Sequence, residues 1–257
     1  MNRIENAFKS GKAFIGFLTA GDPNIQKTEE FIYAMVKAGA DLIEIGIPFS
    51  DPIAEGPVIQ AANVRALSVG TTIDVVFDMV KRIRCNLSVP LVFLTYLNPV
   101  FHYGYESFFT KCEEAGVDGI IIPDLPFEER GELQTIASSH QVTVITLIAP
   151  TSKQRIEKLA RASEGFVYLV SSLGVTGVRN EITTDLSTMI QLINKTTQTP
   201  VAIGFGISTT TQATSLSHCA DGVIVGSAIV KIIEKYQGEA TMPLYDYVKS
   251  MKEAMQE

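Results

Sequence analysis

Eight short runs of β-type residues recur along the chain at roughly even spacing, each followed by a stretch with helical periodicity. Such an alternation admits few folds, because strands separated by helical crossovers line up parallel in one sheet with the helices packed on it. The runs predict strands at 14–19, 42–46, 91–96, 118–122, 143–148, 166–170, 200–204 and 222–226. Helical spacing is carried by Phe31, Met35 and Val36; by Val75, Val76, Met79 and Val80; by Phe108, Phe109 and Cys112; by Leu133, Ile136 and Ala137; and by Ile156, Leu159 and Ala160. Two further helices are predicted outside the repeat, at 2–9 and 243–255. No Gly/Ser-rich or charged linker and no low-complexity tract divides the 257 residues, so 1–257 reads as a single α/β domain. Eight βα units in that length fit a (β/α)8 barrel, and a doubly wound open sheet is the alternative.

A barrel places its chemistry just after each strand. The residues in those positions are the unusual ones: Thr19 to Asp22, Pro48 to Gly56, Tyr96-Leu-Asn98, Pro123-Asp-Leu-Pro126, Ala149-Pro-Thr151, Ser171 to Gly177, Gly204 to Ser208 and Gly226-Ser227. The formal charge of −7 and the absence of any basic cluster beyond Lys81-Arg82-Ile83-Arg84 argue against nucleic acid as a partner. Cys85, Cys112 and Cys219 are odd in number and widely spaced, which suits a reducing cytoplasm and neither a disulfide frame nor a zinc site. No apolar run approaches the about 18 residues of a membrane span, so the expectation is a cytoplasmic protein.

Within the second strand, Glu44 stands among Leu42, Ile43 and Ile45, with no Arg or Lys in that strand to pair with it. A carboxylate in apolar surroundings is costly unless its altered pKa is used or an ion pair offsets it, and here the first reading is favoured. The loop that follows holds Asp51 and Glu55, hemmed by Pro48, Pro52 and Pro57, which restrict its backbone. Gly204, Gly206 and Gly226 close strands 7 and 8, where barrels bind phosphate on bare backbone N–H groups; the alternative is that they only make tight turns. Asp124 reads as support for its loop by accepting backbone N–H bonds. His140 and His218 precede strands and His102 alone lies near the strand ends, so carboxylates must transfer the protons. Tyr168 could be a core aromatic or could present its hydroxyl to a pocket.

The strings Phe17-Leu-Thr-Ala-Gly-Asp-Pro23, Glu44-Ile-Gly-Ile-Pro-Phe-Ser-Asp-Pro52, Pro123-Asp-Leu-Pro126, Gly174-Val-Thr-Gly177, Gly204-Phe-Gly-Ile-Ser208 and Gly226-Ser-Ala-Ile-Val-Lys231 resemble, in order, the signatures of the α subunit of tryptophan synthase. The resemblance implies a (β/α)8 TIM barrel and retro-aldol cleavage of indole-3-glycerol phosphate to indole and glyceraldehyde 3-phosphate. It implies Glu44 as general acid/base and a second carboxylate that accepts the indole N–H. It further implies an indole enclosed by Phe17, Leu94, Ile121 and Ile224 with Tyr96 and Tyr168 at its edge, and a phosphate held by Thr176, Gly177, Phe205, Gly206, Gly226 and Ser227. The loops 48–56 and 172–185 resemble lids. Pro48, Asp51, Asn98 and Pro99 would dock on a β subunit, giving an α2β2 assembly. Pyridoxal phosphate is expected only in that partner, and no cofactor or metal in this chain.

One departure stands out. Where the family has Ala-Asp-Gly-Pro, this chain reads Ala54-Glu-Gly-Pro57, so the second carboxylate is Glu55. An extra methylene moves a carboxylate by about 1.5 Å, and misplacements near 1 Å can cost on the order of a hundredfold in rate. The expectation from length alone is therefore a less well-preorganised Glu55, with Glu55→Asp preserving or raising kcat. Two alternative functions follow: a catalytically weakened barrel that serves as allosteric activator of a β subunit, and a stand-alone lyase that releases indole.

Overall fold

The computed structural model describes residues 3–150, 155–171, 184–204 and 206–256, so Thr176, Gly177, Phe205 and the loop expected at 172–185 fall wholly or largely outside the described residues. Among the described residues nine parallel strands form one sheet: β1 (Ala13–Thr19), β2 (Leu42–Gly46), β3 (Leu91–Leu94), β4 (Gly119–Ile121), β5 (Thr143–Val144), β6 (Thr146–Ile148), β7 (Val167–Val170), β8 (Val201–Gly204) and β9 (Gly222–Val225). Their order is β5-β4-β3-β2-β1-β9-β8-β7-β6. The two ends of that order are consecutive in the chain, so the sheet curls back on itself as a barrel rather than the open sheet held as the alternative. The predicted strand 143–148 is the closing one. Its first half pairs with β4 and its second half with β7, while the N–H of Ile145 between them donates to Ile120 O at 2.9 Å. Strands in a closed barrel are staggered, so one strand meets its two neighbours at different heights.

Among the described residues twelve α-helices surround the strands: α1 (Arg3–Ala7), α2 (Ile25–Lys37), α3 (Pro57–Ser68), α4 (Ile73–Arg84), α5 (Leu97–Tyr103), α6 (Tyr105–Ala115), α7 (Gly131–Ser139), α8 (Ile156–Arg161), α9 (Thr184–Thr196), α10 (Thr210–Ser217), α11 (Ser227–Tyr236) and α12 (Thr241–Ala254). Local chemistry starts several of them. Asn24 and Thr72 accept from the N–H groups of Lys27 and Val75, Thr209 and Gln212 form a reciprocal capping box, and Pro57 fills the first turn of α3, where its missing N–H is no loss. None of the described helices is long and apolar enough to cross a membrane.

Alternation along β2 sorts its side chains. Ile43 and Ile45 join the core between strands and helices, whereas Leu42 joins the barrel interior with Ile15, Val92, Ile121, Phe166, Tyr168 and Ile224. Glu44, two residues on, shares the interior side. The sequence thus directs a carboxylate into the hollow of the barrel above an apolar floor.

Candidate active site

Glu44 is 1% exposed, and its Oε1 has no hydrogen-bond partner among the described residues. Burial alone pushes its carboxyl up from 4.5 to about 8. The alternative of an internal ion pair is therefore not what the described residues form. A carboxylic acid held protonated near neutrality can give a proton to a substrate and take one back.

Glu55 faces the same cavity from the loop between β2 and α3. Burial raises it from 4.5 to about 7, against the pull of hydrogen bonds from Asn63 and the Tyr96 hydroxyl. Asn63 Nδ2 donates to Glu55 Oε2 at 2.6 Å, and the N–H of Ala54 donates to the Tyr96 hydroxyl at 3.1 Å. The Tyr96 ring lies 5.5 Å from that of Phe49, so one tyrosine ties down both ends of the loop. The short bond from Asn63 to this carboxylate speaks against the loose placement expected from its extra methylene. Asn63, which makes that bond, is missed by reading the sequence, although an amide flanked by Ala62 and Val64 on a helix is a signal of a buried polar contact.

The two acids share a cavity of about 270 Å³ at the C-terminal ends of the strands. Phe17, Leu94, Tyr96, Tyr168, Gly206, Ile224, Gly226 and Ser227 line it, as do Ala149 and Ile207 from the segments after their strands, and Ile59 from α3, Leu147 and Val170, which the sequence reading did not single out. Ile121 is fully buried in the interior cluster that it shares with Tyr168 and Ile224. Thr176, Gly177 and Phe205 lie outside the described residues.

Tyr168 combines its two readings, since it is 5% exposed within the interior cluster and lines the cavity, where Glu44 and burial together raise its hydroxyl well above the usual tyrosine range. Gly204 makes room for this ring, because a Cβ there would lie 2.5 Å from the Tyr168 hydroxyl. Gly46 likewise clears the Phe17 ring, which a Cβ would meet at 2.8 Å. Gly226 instead precedes α11, whose first residue is Ser227, and so presents a helix N-terminus to the cavity.

Asp124 Oδ1 accepts the N–H of Leu97 at 2.9 Å, the supporting role read for it. His140 bonds to Glu113 and Glu106, away from the cavity, and among the described residues no group of three His, Cys, Asp or Glu side chains could hold a metal ion. On the rim formed by the loops after β2 and β3, Asp51 and Asn98 are exposed and Pro99 partly so, but Pro48 is buried. Ile53 and Phe101, 76% and 68% exposed, stand in the same two segments.

The family whose sequence pattern is described as tryptophan synthase alpha chain matches residues 4–256. The tryptophan synthase alpha chain of Lactiplantibacillus plantarum is 49% identical, covering 99% of this chain and 97% of its own length. The crystal structure of tryptophan synthase subunit alpha from Legionella pneumophila superposes with a TM-score of 0.89 at 34% identity, over 100% of this chain and 99% of that one. A chain of the tryptophan synthase complex from Pyrococcus furiosus superposes with a TM-score of 0.86 at 37% identity, over 95% and 99%.

Proposed function

Given that this chain belongs to the tryptophan synthase alpha chain family, we propose that it is a carbon–carbon lyase cleaving indole-3-glycerol phosphate to indole and glyceraldehyde 3-phosphate in tryptophan biosynthesis. One observation carries this reading. Two carboxyl groups face one apolar cavity: Glu44, buried with no partner for Oε1 among the described residues, is pushed up to about 8, and Glu55, whose Oε2 accepts from Asn63, is pushed up to about 7. A buried acid poised near neutrality beside a second carboxyl group that can accept a hydrogen bond is the pairing the reaction requires.

In the reaction so drawn, Glu44 protonates C3 of the indole, which makes the ring an electron sink. It then takes the proton from the glycerol hydroxyl next to C3 as the carbon–carbon bond breaks, leaving indole and the aldehyde. Glu55 accepts the indole N–H and offsets the positive charge that develops on the ring. Phe17, Leu94 and Ile224 supply apolar contact to the indole, with Tyr96 and Tyr168 at its edge. The phosphate sits at the N-terminus of α11, on the backbone around Gly226 and Ser227, with Gly206 opposite. One carboxyl group supplies and recovers the proton, so the scheme needs no cofactor in this chain.

The exposed rim with Asp51, Ile53, Asn98 and Phe101 is assigned to a tryptophan synthase β subunit, the site of pyridoxal phosphate, in a cytoplasmic α2β2 assembly. The similar Pyrococcus furiosus protein has been solved as a tryptophan synthase α2β2 complex. The hydrogen bond from Asn63 to Glu55 favours this active lyase over a weakened barrel kept only to activate its partner. The test is direct: the purified chain, alone and with a β subunit, is given indole-3-glycerol phosphate and assayed for indole and glyceraldehyde 3-phosphate in equal amounts. Co-elution with the β subunit in sizing accompanies it. Failure to form either product under both conditions would refute the proposal.

A further inference from the structure

We propose that Asn63 is a positioning residue for the lyase reaction, holding the Glu55 carboxylate ionised and aimed at the indole nitrogen, and that α3 is anchored to keep it there. The inference rests on the reaction proposed above and deepens it, since the proton-transfer steps drawn there are carried by Glu44 and Glu55 and assign no step to a residue of α3.

Asn63 is 3% exposed, and its Nδ2 lies 2.6 Å from Glu55 Oε2. A short bond from a buried amide to a carboxylate stabilises the charged form, as a neutral acid would replace that acceptor oxygen with a weaker one. Glu55 and Asn63 sit on either side of the start of α3, and the helix itself is fixed from its far side. Arg65 grips Asp22, 1% exposed in the loop after β1, with Nε and Nη2 on the two carboxylate oxygens at 2.8 and 2.7 Å. Its Nη1 reaches Glu234 of α11 at 3.3 Å. Gln60 Nε2 donates to the carbonyl of Glu55 at 2.8 Å, so α3 holds both the backbone and the side chain of the residue before it.

Other charged and titratable groups face Glu55 from each neighbouring element. The Tyr96 hydroxyl, just after β3, lies beside Glu55 and favours its charged form, Glu44 of β2 and Tyr168 of β7 line the same cavity, and Asp124 after β4 acts on Tyr96. Arg65 is already taken by Asp22 and Glu234. Asn63 and the Tyr96 hydroxyl are thus the groups that oppose the effect of burial on Glu55.

The experiment uses the full chain, with its β subunit where binding is seen, and compares kcat/KM and the binding of indole-3-propanol phosphate across pH. Removing one hydrogen bond to a carboxylate shifts its ionisation by about one pH unit, so Asn63→Ala is expected to move the ascending limb of both profiles upward by that amount. The loss in kcat/KM is then about tenfold on the limb and much smaller above it. In a Glu55→Gln background the same alanine substitution is expected to cause no shift. Asn63→Ser, which keeps a polar group but cannot span the gap, replaces the alanine variant if that one does not fold. A limb that stays in place while the variant merely loses thermal stability would overturn the inference; a wild-type chain that forms no indole would instead overturn the reaction on which it rests.

Discussion

Replacing Glu44 by glutamine removes a buried ionisable group while keeping its shape, and the structure gives the sign and size of the effect on stability. Burial, with no partner for Oε1 among the described residues, raises this carboxyl from 4.5 to about 8. Between those two values the folded chain holds a proton that the unfolded chain has released, so wild-type stability falls as pH rises through that window. At about 1.4 kcal/mol for each pH unit, the cost reaches roughly 3 kcal/mol at neutral pH and roughly 5 kcal/mol above the folded value, and it vanishes in acid where both states are protonated. Glutamine carries no such dependence. Its amide brings a fixed penalty for a buried N–H₂ group, so the informative quantity is the slope of the difference with pH rather than its value at one pH. Urea unfolding of both proteins at matched pH steps, with m unchanged, measures that slope; by heat, each kcal/mol corresponds to about 2–4 °C in a chain of this size. We expect Glu44→Gln to gain several kcal/mol on wild type between acid and mildly alkaline pH. A difference that does not change with pH would show that Glu44 is solvated or paired, and the argument for its acid role would lose its basis.

Three further outcomes follow from the same geometry. The pH profile of kcat/KM is expected to be a narrow bell, rising as Glu55 ionises near 7 and falling as Glu44 loses its proton near 8; a flat profile across that range contradicts the assignment. Gly204→Ala sets a Cβ 2.5 Å from the Tyr168 hydroxyl, a clash expected to cost about 1–3 kcal/mol in unfolding measurements and to lower activity, whereas an unaffected variant would show that the ring moves aside freely. Glu55→Asp withdraws the carboxylate from Asn63 by about 1.5 Å and is expected to lower kcat by about tenfold rather than raise it, so a gain in steady-state turnover would restore the view that the longer side chain is poorly placed.

Much of the fold is legible because parallel barrel strands are covered on both faces and read as continuous apolar runs. Segments such as Leu42 to Gly46 and Val201 to Gly204 stand out against their polar connections for that reason. The divided fifth strand is not legible, since the break at Ile145 follows from the stagger of neighbouring strands and not from any residue within the run. The helices α3 and α5 escape because each begins within what reads as a rim loop, one opened by Pro57 and the other crossing Pro99. At the site, Glu44 is visible as a charge inside an apolar strand. Alternation tells which face of its strand Ile121 takes, but its height in the barrel is set by the register Leu94 to Ile121, which only the assembled sheet defines. Asn63 and Gly204 are hidden for a related cause, as each acts on a partner brought close by tertiary packing.

The account turns on a single proton-carrying side chain within the second strand. The decisive measurement is indole formation from indole-3-glycerol phosphate by Glu44→Gln, made alongside circular dichroism and binding of indole-3-propanol phosphate to show that fold and pocket persist. Losing its only proton carrier, the variant should bind the analogue and yield no indole above background; turnover equal to wild type would contradict the mechanism at its centre.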